Sequence, residues 1–228
     1  MNRESPDRDS MLARVRQAAE MGRAYRVHLN PVPDNVGYVG VQEDLVERFA
    51  AEVDAVGGQS YIVPDLAAAG VALHRLLEEA GTRSALSWRH ELLDRLGLAQ
   101  LLAAPGVALH NYDSLSSQPP DEQRRIILGC DIGITSCDLA IAETGTLLVC
   151  SRPGQERVAS LVPPFYVAIV ERRQIVPDLI DALSQLSSLA ALPSNVTLIT
   201  GPSKTGDIEL QLTTGVHGPG KWRVIVVQ

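Results

Sequence analysis

The sequence predicts an α/β fold in which a mainly parallel sheet is covered by helices, and three observations carry that expectation. From residue 43 onward, stretches with apolar residues every three or four positions alternate with short apolar runs, the pattern of helices linking parallel strands. The helix expected at 65–80 shows the spacing: Leu66, Ala69, Leu73, Leu76 and Ala80 share one face, and Gly81 follows as its stop. Finally, 228 residues, 45% hydrophobic and 21% charged, describe an ordinary globular chain. A chain of that length buries roughly 70% of its unfolded surface without help from disulfides or metals.

Residues 1–9 read as disordered, and a short amphipathic helix is expected at 10–21, with Leu12, Val15, Ala18 and Ala19 on one face. Two prolines and two glycines make 28–40 a linker. Residues 1–40 therefore form an N-terminal arm, and 41–228 the main domain. The domain is expected to run helix 43–56, strand 60–63, helix 65–80, strand 84–88, helix 90–103 and strand 107–109. A loop at 111–120 and a helix at 121–129 follow. Strands at 138–142 and 146–150 flank a tight hairpin in which Gly145 supplies a positive φ. Two more strands, 158–161 and 165–170, are separated by Pro163 and Pro164. A helix at 177–189, with Pro177 in its first turn and a buried stripe of Leu179, Leu183 and Leu186, comes next. Strand 196–200, a helix near 205–213 and strand 222–227 complete the sheet.

A net charge of −7 and an isoelectric point near 5.2 argue against nucleic acid as the partner, because phosphate contacts need clustered Lys and Arg. The few aromatic residues, two Trp, five Tyr and two Phe, leave little for bases to stack on. Cys130, Cys137 and Cys150 form no Cys-x-x-Cys pair, so no metal or cofactor is expected, and their odd number suits a reducing compartment. The polar N-terminus carries no apolar leader, and no run approaches the roughly 20 apolar residues that span a bilayer. Cytoplasmic location without membrane insertion is the expectation.

The segment Gly-Pro-Ser-Lys-Thr-Gly-Asp-Ile-Glu at 201–209 lies between an apolar strand and a stretch able to start a helix. Gly201, Pro202, Ser203, Lys204 and Thr205, with Asp207 and Glu209, make it a candidate anion site: small residues turn the backbone, first-turn amides lack partners, and Lys204 adds charge. An ordinary capped helix start would read the same way. The spacing is not that of a Walker A loop.

Three ordered blocks give this segment a context: Asp-Ile-Gly-Ile-Thr-Ser-Cys-Asp-Leu-Ala-Ile-Ala-Glu-Thr-Gly-Thr-Leu-Leu-Val at 131–149, the 201–209 segment, and Gly-Val-His-Gly-Pro-Gly at 215–220. Together they resemble the lactate-utilisation protein C family, the LutC or YkgG-like proteins with a LUD domain. The resemblance spans roughly 40–228. The family's third block usually carries Arg where Lys204 stands and Ala where Gly206 stands, so the charge persists without the bidentate fork of Arg. The resemblance implies a three-layer α/β/α, Rossmann-like fold with an antiparallel hairpin, similar to ribose-5-phosphate isomerases, glucosamine-6-phosphate deaminases and coenzyme A transferases. It also implies a component of bacterial L-lactate oxidation to pyruvate that acts, in an accessory or regulatory role, with separate iron–sulfur proteins. The alternative is a small-molecule enzyme or sensor for an anion such as a sugar phosphate or acyl-CoA.

Within the first block, Glu143 at the hairpin tip, beside Thr144, Gly145 and Thr146, reads either as nucleophile, general base or ligand acceptor, or as a carboxylate bonded to nearby backbone. Alternation puts Asp138 on the opposite face from Glu143, so the two do not make a paired-carboxylate site, and Asp131 and Thr135 read as loop and cap residues. His217, between Gly215 and Gly218, is the candidate catalytic histidine of the five, and Gly218 allows a ligand close approach. Arg152 and Arg157 are within reach of a ligand phosphate or else solvated.

Overall fold

The computed structural model describes residues 6–23, 44–189, 193–206 and 212–228. The chain divides into two units, Met1–Val39 and Gly40–Gln228. In the first, helix α1 (Pro6–Arg23) outruns the expected 10–21, opened by a proline whose missing N–H costs nothing in a first turn. The expected linker at 28–40 lies outside the described residues.

The second unit begins with α2 (Leu45–Ala55), β1 (Ser60–Val63), α3 (Leu66–Ala80), β2 (Ser84–Ser87), α4 (Glu91–Arg95), α5 (Leu98–Ala103) and β3 (Ala108–His110). Local chemistry sets these bounds. Asp44 caps α2 by accepting from the Val46 N–H at 2.8 Å, and Asp65 caps α3 through the Ala68 N–H. Gly81, at φ 62°, stops α3 as expected. The single helix expected at 90–103 is instead two, because Gly97 turns left-handed (φ 71°) between α4 and α5. Helix α6 (Tyr112–Ser116) occupies the expected loop, nucleated by a reciprocal Asn111–Ser114 capping box. Then come α7 (Pro120–Gly129), β4 (Ile132–Thr135), β5 (Leu139–Ile141), β6 (Thr146–Ser151), α8 (Val158–Leu161), β7 (Phe165–Glu171), β8 (Ile175–Val176), α9 (Leu179–Ser187), β9 (Asn195–Ile199), β10 (Lys204–Gly206), β11 (Leu212–Thr214) and β12 (Lys221–Val227). Thr135, expected as a cap, is the last residue of β4.

Three further expectations are corrected. The run at 158–161 is the helical turn α8, not a strand; a short apolar run has no periodicity to separate the two. It packs so tightly on β4 that a Cβ on Gly133 would sit 1.8 Å from the Ala159 carbonyl oxygen. The helix expected at 205–213 is a hairpin, with β10 and β11 antiparallel and Thr205 opposite Thr213. Its β-branched threonines favour extended backbone, and Gly206 weakens any helix. Helix α9 starts after Pro177, capped by Asp178, and buries Ala182 rather than the leucine stripe. Leu179 and Leu183 are 39% and 49% exposed, because α9 meets its sheet only along the Ala182–Leu186 edge.

The strands form an all-parallel sheet in the order β1-β12-β7-β4-β2-β3 and a mixed sheet in the order β8-β5-β6-β9. Strands β7 and β12 are apolar almost throughout because both faces are covered. Register places Gly133, Tyr166 and Trp222 side by side on one face. That face receives α8 at Gly133 and α2 at Trp222, where a Cβ on Gly58 would meet the indole at 2.5 Å. The other face carries α3, whose Arg75 lies 5.7 Å from the Tyr61 ring centroid. Helix α2 also packs on β8 of the mixed sheet. The fold is thus α/β, a parallel sheet with helices on both faces and the antiparallel β5–β6 hairpin beside it.

Candidate functional site

A cavity of about 280 Å³ opens where β7 and β12 begin, between α8, the end of β9 and the loop before β12. Two of the sequence blocks meet there: Gly201, Pro202 and Ser203 line one side, His217 and Gly218 the other, with Tyr166 and Trp222 behind them. Backbone hydrogen bonds hold the halves together. The Ser203 N–H donates to the Pro219 carbonyl at 2.8 Å, and the Gly215 N–H donates to the Ser203 carbonyl at 2.9 Å. A Cβ on Gly218 would come within 3.3 Å of the Ser203 Cβ, so glycine permits this closeness.

The first block reaches the cavity indirectly. Thr144, Thr146 and Thr200 form a hydroxyl chain with both links at 2.7 Å, and Thr200 lines the cavity. Gly145 (φ 61°) and Gly201 (φ 83°) both press on α2: a Cβ would sit 2.5 Å from the Val53 nitrogen in one case and 2.8 Å from the Val56 carbonyl oxygen in the other. The two glycines therefore anchor their blocks to one helix. Glu143 is not among the cavity-lining residues; it is exposed, and its backbone N–H donates to the Pro177 carbonyl at 3.0 Å.

Lys204 does not stand at a helix N-terminus. Its Nζ donates to the carbonyl of Val56, the residue that closes α2, at 2.7 Å, so the charge sits at a helix C-terminus. The reason is the hairpin, which replaces the helix whose first-turn amides would have faced an anion. Thr205 pairs in that hairpin, while Asp207 and Glu209 lie outside the described residues.

Other charged candidates are engaged elsewhere. Asp138 accepts from the Cys150 N–H at 2.7 Å and pairs with Arg152, which fixes that arginine at the far end of β5 and β6. His90 caps α4, its Nδ1 accepting the Leu92 N–H at 3.1 Å, and burial lowers its basicity. The three cysteines are buried and unpaired. Burial, helped by the charge of Asp131 or Asp138, pushes the thiols of Cys130 and Cys150 up to about 11 and that of Cys137 well above its usual range. Among the described residues, no three His, Cys, Asp or Glu side chains converge as a metal site would require. No described helix is long and apolar enough to cross a membrane.

Sequence reasoning missed Tyr166, Trp222 and Thr200. The first two read as ordinary strand residues, and only register shows that they share the face on which α8 and α2 leave a gap. The Tyr166 hydroxyl lies 2.8 Å from the Thr135 Oγ1, and burial holds the phenol firmly protonated.

The chain is similar to known proteins. The chain is 36% identical to Lactate utilization protein C of Shouchella clausii, over 68% of this chain and 67% of that one. It is 28% identical to the protein of the same name from an Exiguobacterium species, over 97% and 96%. A solved structure, a DUF162 family protein from Deinococcus radiodurans, superposes with a TM-score of 0.57 at 21% identity, covering 81% of this chain and 96% of its own. The family model described as LUD domain matches residues 46–227, from the first turn of α2 to the end of β12. Every strand of both sheets, and the cavity between them, falls inside that match, and the chain belongs to the LUD domain family.

Proposed function

We propose that this chain serves lactate utilisation as an accessory or regulatory component, acting in the cytoplasm with separate iron–sulfur proteins that oxidise L-lactate to pyruvate. The observation that carries the reading is the likeness, end to end in one case, to relatives named Lactate utilization protein C. The thiol chemistry supports the accessory part. Iron–sulfur clusters are commonly held by four cysteines, and this sequence offers three, all buried and without a Cys-x-x-Cys pair, which favours placing the redox centre in partner proteins.

The test uses a bacterium that grows on L-lactate and has lost its own protein C. Expression of this chain should restore growth on lactate, and failure to do so removes the lactate role. The purified chain, given L-lactate and a dye acceptor, should reduce no dye by itself. Turnover by the chain alone would overturn the accessory reading.

The cavity favours a second reading, a sensor or enzyme for a small molecule bound among Ser203, Thr200, His217 and Trp222. With Lys204 fixed at the end of α2, multiply charged phosphates and acyl-CoA are weaker candidates for it than a singly charged acid.

A further inference from the structure

We infer that the Trp222 indole N–H is a ligand-binding donor, and that its cavity takes a small monocarboxylate with an apolar body. The inference rests on the cavity being a ligand site, not on the lactate role.

Trp222 is 1% exposed, and its Nε1 is buried without a hydrogen-bond partner. Buried donors of that kind are rare, because the group has left water and gained nothing in return. The indole's placement explains where a partner would come from. Its Cε3–Cζ3 edge packs against Gly58, just past the end of α2, which leaves Nε1 on the opposite edge of an indole that lines the cavity. Among the described residues no group on the neighbouring strands meets it as an acceptor.

The rest of the lining selects the partner. Among the described residues, neither lysine, arginine, aspartate nor glutamate lines the cavity, and His217 is the one lining residue able to take a positive charge. A single negative charge can be met by His217, the Trp222 N–H and the Ser203 hydroxyl; a dianionic phosphate would lack counter-charge. Leu161, Ile199, Pro202 and Pro219 supply apolar wall for the remainder of the molecule. The volume of about 280 Å³ lies at the small end of ligand pockets, which suits a metabolite rather than a nucleotide.

The test is a titration of the full ¹⁵N-labelled chain followed at its two indole N–H signals. Trp88 is the internal control, since its Nε1 already donates to the Glu156 carbonyl at 2.9 Å, and Trp88→Phe assigns the pair. Pyruvate, L-lactate and hexanoate are the probes, with inorganic phosphate as the control anion. At least one acid should shift the Trp222 signal downfield and saturably while Trp88 stays still, and Trp222→Phe should weaken that acid about ten-fold or more. A Trp222 signal that answers to none of the acids means that water alone satisfies it, and the proposal falls. An equal response to phosphate overturns it as well. Should Trp222→Phe fail to fold, the titration of the native chain still decides. Restored growth on lactate with a still indole removes this proposal alone, whereas a moving indole without growth removes only the lactate role.

Discussion

Lys204 and Val56, separated by 148 positions in sequence, are joined by a 2.7 Å hydrogen bond from the ammonium to the carbonyl that ends α2. The lysine thus does for a helix C-terminus what the sequence suggested it would do for an anion: it meets partial negative charge left by unpaired carbonyls. Lys204→Met should lower stability by about 0.5 kcal/mol, an amount that shrinks as salt screens the exposed charge. Urea denaturation at low and high salt checks this. A variant of unchanged stability that had lost ligand affinity would restore the anion-site reading of the lysine.

Gly145 and Gly201 are the other ties to α2, and both combine positive φ with a missing Cβ that would strike helix backbone. Alanine at either position should cost more than the ~1 kcal/mol typical of left-handed strain alone. Gly81→Ala is the control, because Gly81 is equally left-handed (φ 62°) but has nothing within 4 Å of the added methyl. Urea midpoints should fall clearly further for the first two variants than for Gly81→Ala. Equal losses at all three sites would mean that α2 shifts freely to make room.

The same contrasts explain what could be read beforehand. Strands β7 and β12 were legible because burial on both faces leaves apolar runs at 165–170 and 224–227, and α3 because its stripe and its glycine stop agree. The cavity was half legible: Gly201 and Gly218 mark close approaches, at Gly201 with a positive φ and a backbone neighbour that leave no room for a Cβ. The partner of each approach was not legible, since Val56 and Ser203 come from distant segments. Nor could local pattern show that 204–214 pairs as a hairpin, where the Ser203 bonds to 215 and 219 outweigh capping signals. Trp222 stayed hidden for a similar reason: a strand tryptophan is ordinarily core, and only an unmatched indole nitrogen marks this one.

Thr146 is the middle of the Thr144–Thr146–Thr200 chain and is 5% exposed, whereas Thr144 and Thr200 are exposed. Thr146→Val keeps the shape, removes both links, and should cost about 1 kcal/mol. In a double-mutant cycle, Thr146→Val with Thr200→Val should show a coupling above the ~0.5 kcal/mol within which independent sites add. Strict additivity would mean that the hydroxyls are neighbours without a shared bond.

Cys130 and Cys150 link the core to pH, because burial holds both thiols near 11 whereas the unfolded thiol titrates near 9. The native state therefore keeps its thiol protons over an interval in which the unfolded state loses them. Their contribution is complete below pH 9 and is lost as pH rises toward 11. Denaturation midpoints should accordingly decline between pH 9 and 11. The decline should be shallower in Cys150→Val, measured against the variant's own value at pH 8, where its packing change is already included. The same protonation governs reactivity, since the thiolate is the attacking species. At pH 8 a disulfide reagent should leave the native thiols essentially unmodified and consume all three cysteines once urea unfolds the chain. Rapid labelling of Cys130 or Cys150 in the native state would show that the surrounding core opens far more readily than its packing implies, and the alkaline decline should then vanish with it.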